Sequence, residues 1–481
     1  MGFFREQMEG LGVGHEVRGI ECASYFGIWT QHLWIFWMNT TNSALPAWMP
    51  WQAMYLVLSI GLLLGALFTW TRERRGGSGD GRGAGAAWPD NIAGGLCAAA
   101  TLLVLVSRLI VGGGAAAGLW AAAALVLGAL GYAWLQLRWA LFYARLDIRQ
   151  AVAFLFGGGI LAALAKVLLG ALPLAASCIV AAFVGPASVA MVRASLSLPP
   201  RSKPALVIFT RQTLPDLWKV GVLFVVFSIA NASLLSISPV MTAQDSLGVY
   251  VLRSSIEILL CAAVLLYVLK FRKGFDFVQL WRIVMVLLGA DFVLNIVAPN
   301  APFQLMFASM SLNFIVLFIW LTLSDIARHS SVHPYVVFAI GWCLYSLPFF
   351  VGCLLTTTAG IGSASVEYFA VLLFVMGVAM SFCLEPRDQN VQSIFCDLDE
   401  EGHAEPSDYA DIDSRCEAIG KEKGLTPREI EVMQLLCKGR SKAYIAETLF
   451  VTENTVKGHA KHLYTKLDVH SKKELQELIG L

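Results

Sequence analysis

Between residues 22 and 384 one pattern repeats: an apolar run of some twenty residues, then a short polar break. Twelve such runs can be drawn, over 22–42, 50–70, 92–111, 115–136, 150–171, 173–192, 217–238, 247–269, 280–298, 303–323, 334–355 and 364–384. A helix needs about 20 apolar residues to cross a bilayer, so each run predicts a membrane-spanning helix. The first run is the most interrupted, by Gln31, His32, Asn39 and Asn42, and the fifth and sixth nearly touch at Pro173.

The breaks between runs carry their own alternation. Basic residues follow the second run (Arg72, Arg74, Arg75, Arg82), the fourth (Arg138, Arg145, Arg149), the sixth (Arg193, Arg201, Lys203, Arg211, Lys219), the eighth (Lys270, Arg272, Lys273) and the tenth (Arg328, with His329). The intervening breaks are nearly free of Lys and Arg. Basic loops mark the cytoplasmic side. The alternation therefore predicts an even number of spans with both termini in the cytoplasm, in a bacterial inner membrane. Composition agrees: 57% of the 481 residues are hydrophobic and 14% charged. A soluble domain carries about 25% charged residues. The ten cysteines form no CxxC pair or Cys/His zinc spacing, so they read as reduced packing residues. The mixed, polar N-terminus does not read as a cleavable signal peptide.

The basic, proline-containing stretch 193–219 divides the runs into six and six. This architecture resembles the major facilitator superfamily, which implies two six-helix halves around a central, substrate-sized site. The GDGR at Gly79–Arg82 is not that superfamily's loop signature. Polar groups within apolar runs are costly, and they are read as functional candidates. Arg108, Lys166, Asn231, Arg253, Glu257, Asp291, Asn295 and Asn313 are of this kind. Arg253 and Glu257, four apart, can pair on one helix face, while Arg108 and Lys166 can snorkel. The first run adds an aromatic, amide-rich stretch with His32, Trp34 and Asn39. The ligand-sensing candidates are therefore His32, Trp34, Asn39, Arg253, Glu257 and Asp291.

After Leu384 the character changes. Residues 385–420 are acidic and poor in apolar residues, and predict a disordered tether. From 421 to 481 there are eleven Lys/Arg against eight Asp/Glu, and four short helices are predicted. Thr426 caps the first, with Pro427 at its first position and Glu429 placed for a capping box. Ser441 caps the second, Lys442–Thr448. Thr452 caps the third, Glu453–Leu467, with Val456, Ala460, Leu463 and Leu467 as its buried stripe. Ser471 caps the fourth. Two short helices joined by a tight turn, the second presenting Lys and His, is the plan of a helix-turn-helix.

The stretch "LTPREIEVMQLLCKGRSKAYIAETLFVTENTVKGHAKHLYTKLDVHSK" resembles the LuxR-type DNA-binding domain of NarL/FixJ-like regulators. That resemblance implies double-stranded DNA as partner. Lys457 and Lys461 match base-reading and phosphate-contacting positions, and Gly458 another groove-facing one. Thr452, Thr455 and His459 match residues that position or pack the helix. Lys466 stands on the same outward side. Lys442 takes over a backbone contact where Lys442-Ala443-Tyr444 departs from the usual residues. Glu429 matches an acidic brace, and helix 471–479 matches a homodimer surface.

No Walker loop, metal cluster or Ser/His/Asp grouping appears, so neither an enzyme nor a cofactor is predicted. The fold expected is all-α: a transmembrane bundle over 1–384, the tether over 385–420 and a LuxR-type domain over 421–481. The function expected is a membrane-bound one-component transcription regulator sensing a small molecule or a membrane signal. The alternatives are a major-facilitator-like transporter with a regulatory DNA-binding tail, or a factor released by proteolysis in the tether.

Overall fold

The computed structural model describes residues 11, 13, 19–41, 45, 49–74, 87–110, 115–197, 199–200, 209, 214–237, 247–271, 277–297, 302–358, 366–383, 406–437, 445–446, 449, 451–469 and 472–479. Two compact units form, one reaching residue 395 and one over 396–481. Among the described residues the secondary structure is helical, apart from one parallel bridge between Phe209 and Ser330.

The first unit contains α1 (Gly19–Tyr25), α2 (Trp29–Thr41), α3 (Ala53–Arg74), α4 (Ala87–Leu105), α5 (Ala115–Tyr143), α6 (Ile148–Gly170), α7 (Leu174–Ala182) and α8 (Val184–Ser197). A second set follows: α9 (Trp218–Ile237), α10 (Leu247–Phe271), α11 (Phe277–Val297), α12 (Pro302–Arg328), α13 (Pro334–Thr358) and α14 (Val366–Cys383). Every apolar run in the sequence coincides with helix. Seven spans among the described residues are long and apolar enough to cross a membrane: the bodies of α3, α4, α5, α6, α9 and α13, and α7 joined to α8.

Two runs are broken rather than continuous. The first splits at Phe26–Ile28, where the chain turns. There Tyr25 stacks on Phe142 at 5.8 Å, and a Cβ on Gly158 would stand 2.6 Å from Ile28. The sixth splits at Phe183, because Pro186 has no N–H to bond the carbonyl four residues back and its ring crowds that carbonyl. The predicted linker 193–219 begins as the last turn of α8. Phe209 is buried and exchanges backbone bonds with His329 and Ser331 at the end of α12, both 2.9 Å.

Burial in this unit is inverted relative to a water-soluble protein. Leu168, Leu259, Val286 and Phe374 are about 70% exposed, whereas Ser59, Thr101 and Ser346 are buried and hydrogen-bonded. Apolar groups outside and hydrogen-bonded polar groups inside suit a lipid solvent. Small residues allow close packing within the unit; Gly128, for instance, leaves room for the Trp34 ring, which a Cβ would meet at 2.5 Å. The two helix sets touch where α3 packs on α13 and α6 on α10 and α12. Asp90 of α4 pairs with Arg138 and Arg193, each at 3.1 Å, and Arg138 donates to the Tyr335 hydroxyl of α13 at 3.3 Å.

The second unit contains α15 (Pro406–Glu422), α16 (Pro427–Cys437), α17 (Glu453–Leu467) and α18 (Lys472–Ile479). Composition assigns residues 406–420 to a disordered tether; the structure makes them helical. Cys416 and Ile419 contribute to the unit's core, and Arg415 donates to the Ile479 carbonyl at 3.1 Å. Glu417 is exposed, and the acidic residues of this stretch mask its short apolar edge in the average. Residues 385–405 of the expected tether lie outside the described residues. After α15 the chain turns through Gly424 at φ +67°, a conformation that favours glycine.

Candidate nucleic-acid interface

The second unit holds a core of its own, built from Val432, Met433 and Leu436 of α16, Ile445, and the inner stripe of α17. That stripe is Val456, Ala460, Leu463 and Leu467, as the spacing predicts, and none of the four is more than 6% exposed. Burying every third or fourth position fixes the rotation of α17 and so determines which residues face out. The Ile445–Ala446 turn packs inward and bonds on to Leu449 and Val451. The rest of the predicted second helix, with Ser441 and Lys442, lies outside the described residues.

Both ends of α17 are capped. Thr452 has extended backbone and accepts the Thr455 amide at 3.2 Å, and the two hydroxyls share a bond of 2.8 Å. At the other end Asp468 adopts φ 55°, ψ 42°, the left-handed stop. Between the caps Lys457 and Lys461 are exposed on one side, and Gly458 and His459 are half-buried beside them. Lys457 and Lys461 flank a shallow depression that runs along Tyr464 to Val469. Side chains so placed can reach base edges and phosphates in a major groove. Burial and the nearby Cys437 sulfur push the Tyr464 phenol up, so it stays neutral.

Lys466 behaves differently from its neighbours. Its ammonium turns inward to Glu429 at 2.8 Å and to the Gly424 carbonyl at 3.2 Å. Glu429 also closes the capping box of α16: its carboxylate accepts the Thr426 amide at 2.7 Å, and its own amide donates to the Thr426 hydroxyl. Lys466 is thus a brace as well as a member of the outward row, which spacing alone does not reveal.

Two predictions arise here. Burial alone would raise the Glu429 carboxyl, but hydrogen bonds from Lys466 and Thr426 and the Lys466 charge outweigh it and hold the group at about 2. A carboxyl depressed from 4.5 contributes stability that is fully present above pH 4.5 and is lost as pH falls through 2. A 406–481 fragment followed by circular dichroism should lose stability over that window. Glu429→Gln should remove this part of the dependence and cost about 1–2 kcal/mol at neutral pH, the open Lys466 end being screened. Gly458 has nothing within 4 Å of an added Cβ. Gly458→Ala should therefore stabilise the unit by about 1 kcal/mol in urea melts, through helix propensity alone.

The membrane unit gathers some of the ligand-sensing candidates and disperses others. Glu257 of α10 accepts from Lys166 of α6 through both oxygens, at 3.0 and 3.1 Å. Lys166 is 2% exposed, so it pairs across helices instead of snorkelling. Lys166 and Arg253 both stand over the Phe36 ring, at 5.2 and 5.1 Å from its centre. His32 lies one turn before Phe36 on α2 and feels the Lys166 charge. Phe36 completes a cluster whose other members, His32, Lys166, Arg253 and Glu257, the sequence singles out, though spacing pairs only Arg253 with Glu257. Trp34 instead stacks on Tyr132 and donates to Thr101 at 3.3 Å. Asp291 is fully buried on α11, which packs against α9, α12 and α14. The Asn39 side chain lies outside the described residues.

Known proteins resemble the two units separately. Residues 423–479 match the bacterial regulatory proteins, luxR family. The oxygen regulatory protein NreC of Staphylococcus haemolyticus is 49% identical over 55 residues, 11% of this chain and 25% of the relative. NreC of Staphylococcus epidermidis is 47% identical over the same length. The chain thus spans about a quarter of the length of the curated relatives it matches. The crystal structure of the human organic anion transporter MFSD10 (TETRAN) superposes with a TM-score of 0.50 at 13% identity, covering 77% of this chain and 100% of that one. At that identity the likeness concerns the fold. The chain joins a membrane-protein bundle of major-facilitator-like fold to a C-terminal luxR-family helix-turn-helix domain at residues 423–479.

Proposed function

We propose that the protein is a membrane-bound one-component transcription regulator of a bacterial inner membrane. The observation that carries this reading is the outward Lys457–Lys461 face of a capped luxR-family helix, on the same chain as a membrane unit. Lys457 and Lys461 read the major groove. Thr452, Thr455 and His459 set the helix on the DNA backbone, Gly458 admits close approach, and Lys442 adds a phosphate contact. Lys466 holds the helix to α16. The domains pair as a homodimer through 471–479, where Leu478 remains 43% exposed.

The alternation of basic loops supports cytoplasmic termini, the orientation in which this domain can meet DNA. The membrane unit senses a small molecule through the cluster around His32, Arg253 and Glu257. Ligand biases the unit between two packings and so changes the effective concentration at which tethered DNA-binding domains meet. A reporter driven by the chain's own upstream region tests this. Replacing the spans with an inert anchor should abolish signal-dependent output; unchanged output would remove the sensing role.

A further inference from the structure

Helix α15 precedes the matched residues 423–479, yet it is built into the domain. Cys416 is fully buried in the shared core, and Ile419 packs against that core. Gly420 lets α15 approach α16 so closely that an added Cβ would stand 2.6 Å from the Ile430 side chain. The same helix reaches α18, where Arg415 donates to the Ile479 carbonyl at 3.1 Å. The last carbonyls of a helix have no partner within it, and a cation there opposes the negative end of the helix dipole. This contact matters because α18 has only eight residues. A helix that short does not hold itself in water. Its order comes from Leu475 and Ile479, both buried, and from the α15 and α16 surfaces beneath them.

We infer that α15 is a releasable brace on α18. Docked, it holds the homodimer surface in shape; released, it lets α18 fray and the paired DNA-binding domains part. The inference rests on the pairing through 471–479 proposed above and supplies its regulation. In chain order α15 is the first described element after α14, so a change in the membrane unit reaches the DNA-binding helices through it. Its seat is narrow enough for release. From 413 to 422, Cys416 and Gly420 are buried, Asp413 and Ile419 are half-buried, and the rest are exposed. So small an apolar seat can open while Val432, Met433 and Leu436 of α16 stay packed on the α17 stripe. The coupling is reciprocal: if docking favours the DNA-bound pair, DNA must favour docking.

Two buried thiols report the two kinds of opening. Cys416 leaves the core when α15 undocks, and Cys437 of α16 leaves it when the domain itself opens. The full-length chain in detergent is treated with N-ethylmaleimide, and alkylation at each site is followed by peptide mass spectrometry. The reaction is run with and without DNA from the chain's own upstream region at fixed salt. Cys416 should react about tenfold faster than Cys437. Bound DNA should slow Cys416 by about fivefold or more. Arg415→Met should speed Cys416 and weaken DNA binding by similar factors, each about fivefold, with Cys437 unchanged. Arg415→Lys, which keeps a charged donor, should restore most of both; Arg415 is exposed, so both variants are expected to fold. One common rate for the two thiols, DNA that binds without slowing Cys416, or an Arg415→Met chain with faster Cys416 and full DNA affinity overturns the brace and leaves the regulator standing. A parent chain that binds no DNA specifically removes the regulator, and the brace with it.

Discussion

Lys457→Ala combined with Lys461→Ala is expected to weaken specific DNA binding by about 100-fold or more, each side chain being worth roughly 1–3 kcal/mol at a base edge. The stability of the domain should be unchanged, because both side chains are exposed and neither belongs to the core. Each phosphate that is no longer neutralised should also reduce the salt slope by about 1. The pair can therefore be split: a lysine reading bases relaxes preference at one position, while one on phosphate weakens all sequences alike. Lys466→Ala makes the useful contrast. It releases Glu429 and should lower the melting temperature along with affinity. Gel shifts at fixed salt, paired with thermal melts of the same variants, separate reading from bracing.

The second large effect is expected in the membrane unit. Lys166→Met leaves the Glu257 carboxylate buried without its partner, at 3.0 Å from where the ammonium stood. Removing one member of a buried pair costs about 3–5 kcal/mol. Replacing both by apolar residues of similar volume is often near neutral. Lys166→Met should therefore lower the melting temperature of the full chain sharply, and Lys166→Met with Glu257→Leu should recover most of the loss. Equal losses in the single and double variants would show that the residues do not act as a pair.

Much of this architecture is legible in the sequence because lipid leaves few options. Each apolar run must satisfy its own backbone, and a helix does so within the segment. The inner stripe of α17 is legible for a similar reason: a short helix beside a small core has one face to bury. The misses share a cause. The break at Phe26–Ile28 comes from aromatic packing against distant helices, and Lys166 finds Glu257 ninety-one residues away. Neither is encoded locally. Residues 406–420 mislead because average composition hides Cys416 and Ile419, whose packing needs the rest of the domain. The bond of Lys466 to Glu429 is not legible either, because position on a helix face does not say where a long side chain ends.

The most direct measurement is crosslinking of DNA to the full-length chain in cells, followed by separation of membrane and soluble fractions. The account predicts that a discrete DNA segment is recovered with the membrane fraction, attached to intact chain, and is absent with the Lys457→Ala, Lys461→Ala variant. Recovery only with a soluble C-terminal fragment, or no enrichment of any segment over that variant, would contradict it.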